Sequence, residues 1–366
     1  MSSLQKLGWS TAFERNWKII DRGTLAPARV VVVDRGICWI RLDDGSEHLS
    51  QMTGRLKHQL GESDQWPVTG DWVAVQLQQD GPVMIHELLS RQTELVRRTG
   101  HARKDRDRHA ERQVLAANVD IAFLTMSLNQ DFNLRRLERY LILVAESGVR
   151  PIVVLTKTDL VTAVDNWMNE VKQINPSVPV LPISVYQQQG LDLICEFLLP
   201  GVTAVILGSS GVGKSTLINW LMGNTVMEVK AIRQDDDHGR HTTTRRQLFL
   251  LPQGGMLIDT PGLRDVQLEE SSSGLEMSFE EILELEKKCR FTNCQHHDEP
   301  GCAVVEAMES HLLEPERYHS YLKLSREVAH QHSKKDKAAS AEARKNEKKL
   351  HQGYRKILRE KQRNRL

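Results

Sequence analysis

An eight-residue glycine-rich segment constrains the fold of this 366-residue chain more than any other feature. The segment runs GSSGVGKS from Gly208 to Ser215 and matches the pattern G-x-x-x-x-G-K-[ST] without a gap. The apolar, strand-like run Thr203–Leu207 precedes it, and the helical stretch Thr216–Met222 follows it. In that context the backbone N–H groups of the loop point at phosphate oxygens, and the helix N-terminus adds a favourable dipole. The segment therefore predicts a nucleotide-phosphate site on an α/β sheet, the alternative being a chance match in a glycine-rich loop.

Two side chains of this phosphate loop have specific predicted roles. Lys214 can reach the β- and γ-phosphates, and the Ser215 hydroxyl is placed to ligate Mg²⁺. The other predicted nucleotide contacts are Gly208, Ser209, Ser210, Gly211, Val212, Gly213 and Thr216. These residues predict a nucleoside triphosphate but do not identify its base.

The tetrapeptide Thr156-Lys157-Thr158-Asp159 identifies the base as guanine. It closes the apolar run 152–155, and the Asp159 carboxylate can accept hydrogen bonds from both N1–H and the 2-amino group of guanine. Adenine offers neither donor, so a buried aspartate would be left unpaired. The Lys157 stem can lie over the face of the ring. Alone, the tetrapeptide also fits an ordinary polar turn after a strand, but together with a phosphate loop it predicts a guanine site.

Two further segments complete the predicted nucleotide site. Asp259-Thr-Pro-Gly262 ends another apolar run, with Asp259 as a candidate for a water-mediated Mg²⁺ contact and Gly262 for a backbone bond to the γ-phosphate. The polar loop GRHTTT at 239–244 is of the kind that closes over phosphate and metal. Thr243 is the predicted third Mg²⁺ ligand, although spacing alone does not choose among the three threonines.

Apolar patterning predicts three structural regions. Runs rich in β-branched and aromatic residues at 28–33, 37–42 and 71–77 suit a small barrel; an oligonucleotide-binding barrel is one candidate, and another small β domain fits equally well. From 113 onward, apolar runs at 118–126, 152–155, 180–184, 204–207 and 256–258 alternate with helical spacing, which predicts a parallel sheet covered by helices. After about 270 the chain becomes helical and charged, with a helix predicted over 314–328.

A cysteine and histidine cluster predicts a metal site. Its members are Cys289, Cys294, His296 and Cys302. Three thiolates and one imidazole form a closed tetrahedral set suited to structural zinc, with no position left for a catalytic water. The neighbouring His297 is an alternative ligand, and three buried free cysteines beside a chance histidine are the alternative to a metal. Cys38 and Cys195 stand alone and are predicted core residues.

The charge is distributed unevenly along the chain. The formal net charge is +1, yet residues 333–366 carry +9, which leaves −8 on the preceding residues. Such a tail indicates an anionic partner, either nucleic acid or a membrane surface. The arginine-rich stretch 91–112, with 8 basic and 4 acidic residues, fits a solvated linker or a nucleic-acid contact. Because no apolar run approaches a membrane span and the start lacks a secretory layout, we expect a cytoplasmic protein.

The order of the motifs is diagnostic. The guanine motif and the candidate Ser184 loop precede the phosphate loop, whereas most GTPases have the opposite order, so the domain is predicted to be circularly permuted. With these residues the chain resembles the ribosome small subunit-dependent GTPase A family (RsgA, also called YjeQ or EngC) over roughly 28–321. The segments that carry the resemblance are QVLAANVD at 113–120, NQDFNLRRLERYL at 129–141, the GRHTTT loop and the cysteine and histidine cluster.

The resemblance implies a multidomain architecture. It comprises an N-terminal oligonucleotide-binding (OB) β-barrel, a central α/β circularly permuted P-loop GTPase domain, and a C-terminal, mainly helical zinc-binding domain with a basic tail. The predicted boundaries are 1–27 for an N-terminal extension, 28–92 for the barrel, 93–112 for a basic linker, 113–270 for the GTPase domain, 271–330 for the zinc domain and 331–366 for the tail. The resemblance also favours His296 over His297 as the zinc ligand. One departure is Thr156, which occupies a position where asparagine is more usual. We expect it to weaken the contacts between the guanine motif and the phosphate loop.

Hydrolysis is expected to need assistance. Ras-like enzymes place a glutamine after the D-x-x-G glycine to orient water, but here that position is Leu263, which cannot hydrogen-bond water. We therefore expect slow hydrolysis by the chain alone, at roughly 10⁻⁴ to 10⁻² s⁻¹. His241 is the candidate for orienting water once a partner docks; the alternative is that it shapes its loop or contacts RNA.

These expectations combine into one leading function. The resemblance implies a GTP hydrolase, with Mg²⁺ at the nucleotide and one structural Zn²⁺, that acts in late maturation of the small (30S) ribosomal subunit and is stimulated by it. Its expected partners are this subunit, its rRNA and other assembly factors; it is expected to be a cytoplasmic monomer with no membrane association. One alternative is an RNA-binding assembly factor that uses GTP only as a conformational latch. Another is a membrane-surface GTPase, which rests only on the amphipathic basic tail.

Overall fold

A computed structural model describes the fold over most of the chain. The described residues are 1–20, 23–34, 37–61, 65–78, 81–99, 111–129, 131–227, 246–260, 275–276, 278–296, 299–315 and 317–328. The strands are β1 (Ala26–Asp34), β2 (Ile37–Arg41), β3 (Glu47–Met52), β4 (Trp72–Gln76), β5 (Val83–Leu88), β6 (Glu94–Thr99), β7 (Glu111–Ala117), β8 (Ile121–Ser127), β9 (Arg150–Thr156), β10 (Val180–Pro182), β11 (Thr203–Leu207), β12 (Arg246–Leu250) and β13 (Met256–Asp259). The helices are α1 (Ser3–Lys6), α2 (Thr11–Ile19), α3 (Gly54–Leu60), α4 (Leu134–Glu146), α5 (Val164–Ile174), α6 (Leu191–Phe197), α7 (Lys214–Met222), α8 (Glu280–Glu286), α9 (Ala303–Glu309) and α10 (317–328).

The first five strands close into a barrel. They pair in the order β1-β2-β3-β5-β4, and β4 pairs back to β1, so the sheet has no free edge. The pairing of β3 with β5 is parallel, and the other four pairings are antiparallel. Helix α3 follows β3 and places Leu56 in the barrel core. This arrangement confirms the predicted OB-type barrel.

The central region is a mostly parallel sheet, as predicted. Its strand order is β10-β9-β8-β11-β13-β12, with β12 antiparallel to β13. The strands β8, β9 and β11 are fully or almost fully buried, because helices cover both faces and leave continuous apolar strands between them. Strand β12 also pairs with β1, so the barrel and the central sheet share one continuous set of strands.

Two details of the region between barrel and sheet differ from expectation. The arginine-rich stretch is not simply a solvated linker, because β6 and β7 form an antiparallel hairpin and Leu95 is fully buried. At its start, Arg91 forms a buried ion pair with Asp71 of the barrel at 2.8 Å. The predicted strand over 118–126 begins only at Ile121, because Asn118 adopts a left-handed conformation (φ +55°) between β7 and β8. Its side chain bonds the Gly70 carbonyl oxygen and the Gln92 N–H.

The N-terminal segment is part of the folded body. Trp9 and Phe13 pack against Trp72 of the barrel, with the Trp9 and Trp72 ring centroids 4.7 Å apart. The buried guanidinium of Arg29 donates to the carbonyl oxygens of Leu7 and Asn118, so it joins the N-terminal segment to two other parts of the chain. Burial lowers the pKa of Arg29 to about 10.

The C-terminal helices form a separate apolar cluster. Phe279, Ile282 and Val304 are fully buried in it, and Ile142 of α4 contributes from the central region. The predicted helix over 314–328 is confirmed over 317–328. The domain boundaries proposed above stay predictions. Among the described residues, no helix is long and apolar enough to cross a membrane.

Candidate functional site

The predicted nucleotide residues lie at the carboxyl ends of neighbouring parallel strands. Strand β11 lies between β8 and β13, and β9 pairs with the other edge of β8. The phosphate loop follows β11, Asp259 ends β13, and the guanine motif follows β9. The carboxyl edge of an open α/β sheet is where such folds bind ligands. The sheet therefore brings together segments that are distant in the sequence.

Two glycines give the phosphate loop its shape. A Cβ at Gly208 would lie 2.6 Å from the Thr125 carbonyl oxygen, so only glycine allows the loop to pass this close to β8. Gly213 has φ +99° and immediately precedes α7, which begins at Lys214. The Lys214 Nζ donates to the carbonyl oxygens of Gly208 and Ser209 at 2.8 and 2.6 Å. The loop thus curls around its own lysine, with Ser215 in the first turn of the helix.

The guanine motif is bonded directly to the phosphate loop. The buried Thr156 Oγ1 lies 2.6 Å from the Val212 carbonyl oxygen and 3.2 Å from that of Met126. The Lys157 Nζ donates to the Gly211 carbonyl oxygen at 2.8 Å. We expected threonine in place of asparagine to loosen this connection, but the structure retains it, because the shorter side chain still reaches the loop.

The carboxylate predicted to bind guanine has a defined partner. The Ser184 hydroxyl donates to Asp159 Oδ1, and the Gln187 N–H donates to the Ser184 oxygen at 3.1 Å. Thr158 and Asp159 belong to the short 3-10 helix Thr158–Leu160. Lys157 directly precedes this helix and has a left-handed conformation (φ +59°). The predicted Ser184 loop therefore lies beside the guanine motif.

Asp259 is a buried carboxylate at the end of β13. It lies opposite Ile206 in the strand register, and its residue is 5% exposed. Burial raises the pKa of Asp259, and the positive charge of Lys214 lowers it. The adjacent Thr260 hydroxyl donates to the Ile206 carbonyl oxygen at 3.0 Å, which fixes the strand end beside the phosphate loop.

Several predicted residues are outside the described part of the chain. His241, Thr243 and Gly262 fall there, together with Leu263, the alternative ligand His297 and the basic tail. Their proposed roles stay predictions.

Sequence reasoning missed Asp131. The Ser209 hydroxyl lies 2.6 Å from both of its carboxylate oxygens. The signal that could have found it is its place in a polar run directly after the buried strand β8, at the same sheet edge as the phosphate loop.

The predicted metal ligands form a compact cluster. The four donor atoms of Cys289, Cys294, His296 and Cys302 all lie within 4.8 Å of one another. The His296 Nδ1 is 3.5 Å from Cys289 Sγ and 3.4 Å from Cys302 Sγ, and these two sulfurs are 3.9 Å apart. A group of three thiols and one imidazole at this spacing could hold a metal ion.

Neighbouring residues orient the cluster. Glu286 Oε1 lies 3.7 Å from His296 Nε2, on the side of the imidazole that faces away from the sulfurs. The Tyr321 hydroxyl lies 3.4 Å from the other Glu286 oxygen. Such a carboxylate fixes the tautomer and orientation of a metal-ligating histidine. Cys302 also caps α9, where its sulfur accepts from the Val305 N–H.

Comparison with family models gives two matches. A model described as RsgA GTPase matches residues 88–269, which include the guanine motif and the phosphate loop. A model described as ABC transporter matches residues 196–358. Both ranges contain the phosphate loop, a motif that several nucleotide-binding families share.

Curated relatives extend over nearly the whole chain. A "Small ribosomal subunit biogenesis GTPase RsgA" from Streptomyces coelicolor is 44% identical over 94% of this chain and 92% of its own length. The protein of the same name from Opitutus terrae is 39% identical over 96% of this chain and 97% of its own. Among solved structures, YjeQ from Thermotoga maritima has a TM-score of 0.62 at 24% identity, covering 83% of this chain and 99% of that one. YloQ, described as a circularly permuted GTPase, has a TM-score of 0.59 at 24% identity, covering 85% and 97%; both likenesses concern the fold.

Proposed function

Because the chain belongs to the RsgA GTPase family, we propose that it hydrolyses GTP while docked on the small ribosomal subunit, as a late maturation factor of that subunit. The observation that carries the proposal is the direct bonding of the guanine motif to the phosphate loop, through Thr156 to Val212 and Lys157 to Gly211. These bonds make base recognition and phosphate binding parts of one site. A site of this kind can select a guanine base and bind the phosphates of the same nucleotide.

Each part of the site has a role toward GTP. Asp159, held by Ser184, accepts the two guanine N–H donors. Lys214 and the backbone N–H groups of the phosphate loop stabilise the charge that develops on the transferred phosphoryl group. Water is the nucleophile: it attacks the γ-phosphorus in line, the bond to the β–γ bridging oxygen breaks, and GDP and inorganic phosphate leave. We assign the orientation of this water to His241 after docking.

The residues around Asp259 suit a magnesium ion. Burial raises the pKa of Asp259, and among the described residues the Lys214 charge opposes this shift, so a divalent cation would relieve the cost of its ionisation. Ser215, Thr243 and, through water, Asp259 would hold this ion. Held there, Mg²⁺ would supply positive charge that offsets the negative charge of the phosphate oxygens.

Zinc is the metal that best suits the cysteine and histidine cluster. Zinc bonds of about 2.3 Å to sulfur and about 2.0–2.1 Å to nitrogen, at tetrahedral angles, require S–S distances of about 3.8 Å and S–N distances of about 3.6 Å. The corresponding distances among Cys289, Cys302 and His296 are 3.9, 3.5 and 3.4 Å. With Cys294 as the fourth donor no open position remains, so we propose a structural role for the ion.

The proposed partners follow from the function. We infer that rRNA of the small subunit contacts the OB-type barrel, the C-terminal unit and the tail, whose net charge of +9 suits a phosphate backbone. Other assembly factors would act on the same particle. We propose that the protein works in the cytoplasm, where the small subunit is assembled, and that it acts as a monomer.

Single-turnover GTP hydrolysis with and without small subunits tests the proposal. We expect slow hydrolysis by the protein alone and a rate that rises and saturates with subunit concentration. Repeating the titration at two salt concentrations should show a steep loss of stimulation at the higher one, because phosphate contacts release counterions. Absence of stimulation under conditions where subunits still bind would contradict the proposal and favour an assembly factor that uses GTP only as a latch.

A further inference from the structure

The contact between Asp131 and the phosphate loop has no role in the nucleotide chemistry described above. The Ser209 hydroxyl lies 2.6 Å from both Asp131 carboxylate oxygens, and the Ser209 carbonyl oxygen accepts from Lys214 Nζ at 2.6 Å. One residue of the loop thus contacts an external carboxylate on one side and the phosphate-binding lysine on the other. A shift of Asp131 would therefore move the carbonyl that orients Lys214.

Asp131 is itself held by the first turn of α4. The Arg136 Nη1 lies 2.8 Å from Asp131 Oδ1, and its Nη2 donates to the Asp131 carbonyl oxygen at 3.0 Å. The Asp131 and Arg136 side chains are 25% and 22% exposed, so this two-point contact is partly shielded from water. Asn133 caps the same helix by accepting from the Arg136 N–H. The position of the carboxylate thus depends on where α4 begins.

The next turn of α4 binds the C-terminal unit. Arg139 forms two bonds with the Glu327 carboxylate, at 2.8 and 2.6 Å. Glu138 lies 3.8 Å from Arg317, and both side chains are less than one tenth exposed. Arg136 and Arg139 are three residues apart, or about 4.5 Å along the helix axis. The contact to the phosphate loop and the contact to α10 are therefore separated by less than one turn.

Apolar packing makes the contact between α4 and the C-terminal unit rigid. Ile142 of α4 is fully buried among the apolar residues of the C-terminal unit. The Arg317 guanidinium lies 3.9 Å from the centre of the Phe279 ring and is 2.8 Å from Glu281 as well. These last two contacts lie within the C-terminal unit and hold Arg317 in place opposite Glu138 of α4. The unit therefore cannot shift on α4 without disturbing the packing of Ile142 and the Glu138–Arg317 contact, since close-packed interiors transmit displacement rather than absorb it.

We propose that Asp131 is a positioning residue of the phosphate loop, and that α4 couples this loop to the metal-bearing C-terminal unit through Arg136 and Arg139. The inference rests on the proposed function, since it takes the loop as the guanine nucleotide site. Docking of the C-terminal unit restrains α4, which in turn restrains Asp131 and Ser209. Because coupling between two binding equilibria is reciprocal, a filled phosphate loop must stabilise the docked unit by the same factor.

The dissociation rate of a fluorescent GDP analogue from the full-length protein tests this coupling. Glu327→Gln changes no residue of the nucleotide site, yet we expect dissociation to become about five- to tenfold faster, the lower part of the range typical of coupled sites. Asp131→Asn should act in the same direction. The matched control is Glu47→Gln on the barrel, which also neutralises a carboxylate 2.8 Å from an arginine, Arg41, and should leave the rate unchanged.

Two combined variants separate coupling from general damage. The exchange Arg139→Glu with Glu327→Arg keeps the pair and should return the rate toward that of the wild type. Asp131→Asn with Glu327→Gln should speed dissociation by less than the product of the two single effects, because both substitutions act on one connection. Circular dichroism and metal content verify the fold of each variant.

The outcomes are distinguishable. An unchanged rate in Glu327→Gln, no recovery in the exchanged pair, or fully multiplicative effects would each overturn the coupling while leaving nucleotide binding intact. A wild-type protein that binds no GDP would instead overturn the proposed function. Recovery in the exchanged pair together with less than multiplicative effects supports the inference.

Discussion

Thr156→Val tests most directly whether the guanine motif and the phosphate loop act as one site. The Thr156 residue is 3% exposed, and its hydroxyl lies 2.6 Å from the Val212 carbonyl oxygen and 3.2 Å from that of Met126. Valine has nearly the same shape but no donor. The substitution therefore removes a buried hydrogen bond between the two motifs and leaves the surrounding packing in place.

The size of the effect follows from the burial of this bond. A typical intramolecular hydrogen bond contributes about 0.5–1.5 kcal/mol net, and leaving a buried partner without its donor costs about 1–3 kcal/mol. We therefore expect a loss of about 1–2 kcal/mol. If the loss falls on the ordered loop that binds phosphate, it weakens GDP binding by about five- to thirtyfold.

Fluorescence titration with a GDP analogue measures this change. Thr156→Ser keeps the hydroxyl and should bind within about threefold of the wild type, while Thr156→Asn offers an amide donor in its place. Thr203→Val is the matched control, because among the described residues the buried Thr203 Oγ1 has no hydrogen-bond partner. Removing that hydroxyl should leave affinity unchanged and raise the free energy of unfolding by up to about 1 kcal/mol.

One result would refute the reasoning. If Thr156→Val bound GDP like the wild type while its free energy of unfolding fell, the bond to Val212 would serve stability alone. The two motifs would then be neighbours without being a functional unit.

Three further predictions concern other parts of the molecule. Arg91→Met leaves the fully buried Asp71 carboxylate without its ion-pair partner. This should lower the free energy of unfolding, measured in urea, by about 3–5 kcal/mol, and a loss below about 1 kcal/mol would contradict the prediction. Chelation should release one zinc per chain and increase hydrogen exchange in the C-terminal helices; unchanged exchange after metal loss would exclude a structural role. Phe291 is 44% exposed, and the Arg290 guanidinium lies 5.5 Å from its ring, so this pair suits stacking on an RNA base. Phe291→Ala should weaken subunit binding about five- to hundredfold without changing its salt dependence, whereas Arg290→Ala should reduce the salt slope by about one. Equal slopes and affinities in both variants would exclude this contact.

Local patterns predicted much of this fold. The phosphate loop, the strand before it and the helix after it are adjacent in the sequence, so the motif defines all three. Strands such as β8 and β9 are continuous apolar runs, because they are buried on both faces. The four candidate metal ligands fall within fourteen residues, so their spacing could be compared directly with the needs of a tetrahedral ion.

Features that depend on distant contacts were missed. Strand β3 has four polar residues among its six, β5 contains His86 and Glu87, and β12 begins with Arg246 and Gln247. The apolar periodicity of these strands is therefore weak, and their pairing partners stabilise them. Asp131 and Ser209 are separated by 78 residues, and no local pattern links them. Arg29 is an ordinary strand residue in the sequence, yet it is buried because three segments meet around it. The role of such residues depends on tertiary packing.

The C-terminal unit is connected to the predicted nucleotide site in two ways, and the permuted chain order supplies the first. One is covalent, since Asp259 precedes this unit in the chain, and we propose that Asp259 lies near the magnesium ion of the bound nucleotide. The other is the contact of Asp131, which lies just before α4, with Ser209. We expect this contact to act on GDP and GTP alike, because Ser209 belongs to the loop that is predicted to hold the phosphates of both. We therefore expect Glu327→Gln to speed dissociation of GDP and of a non-hydrolysable GTP analogue by the same factor. A change confined to the GTP analogue would show that the covalent route dominates and that α4 only supports the C-terminal unit.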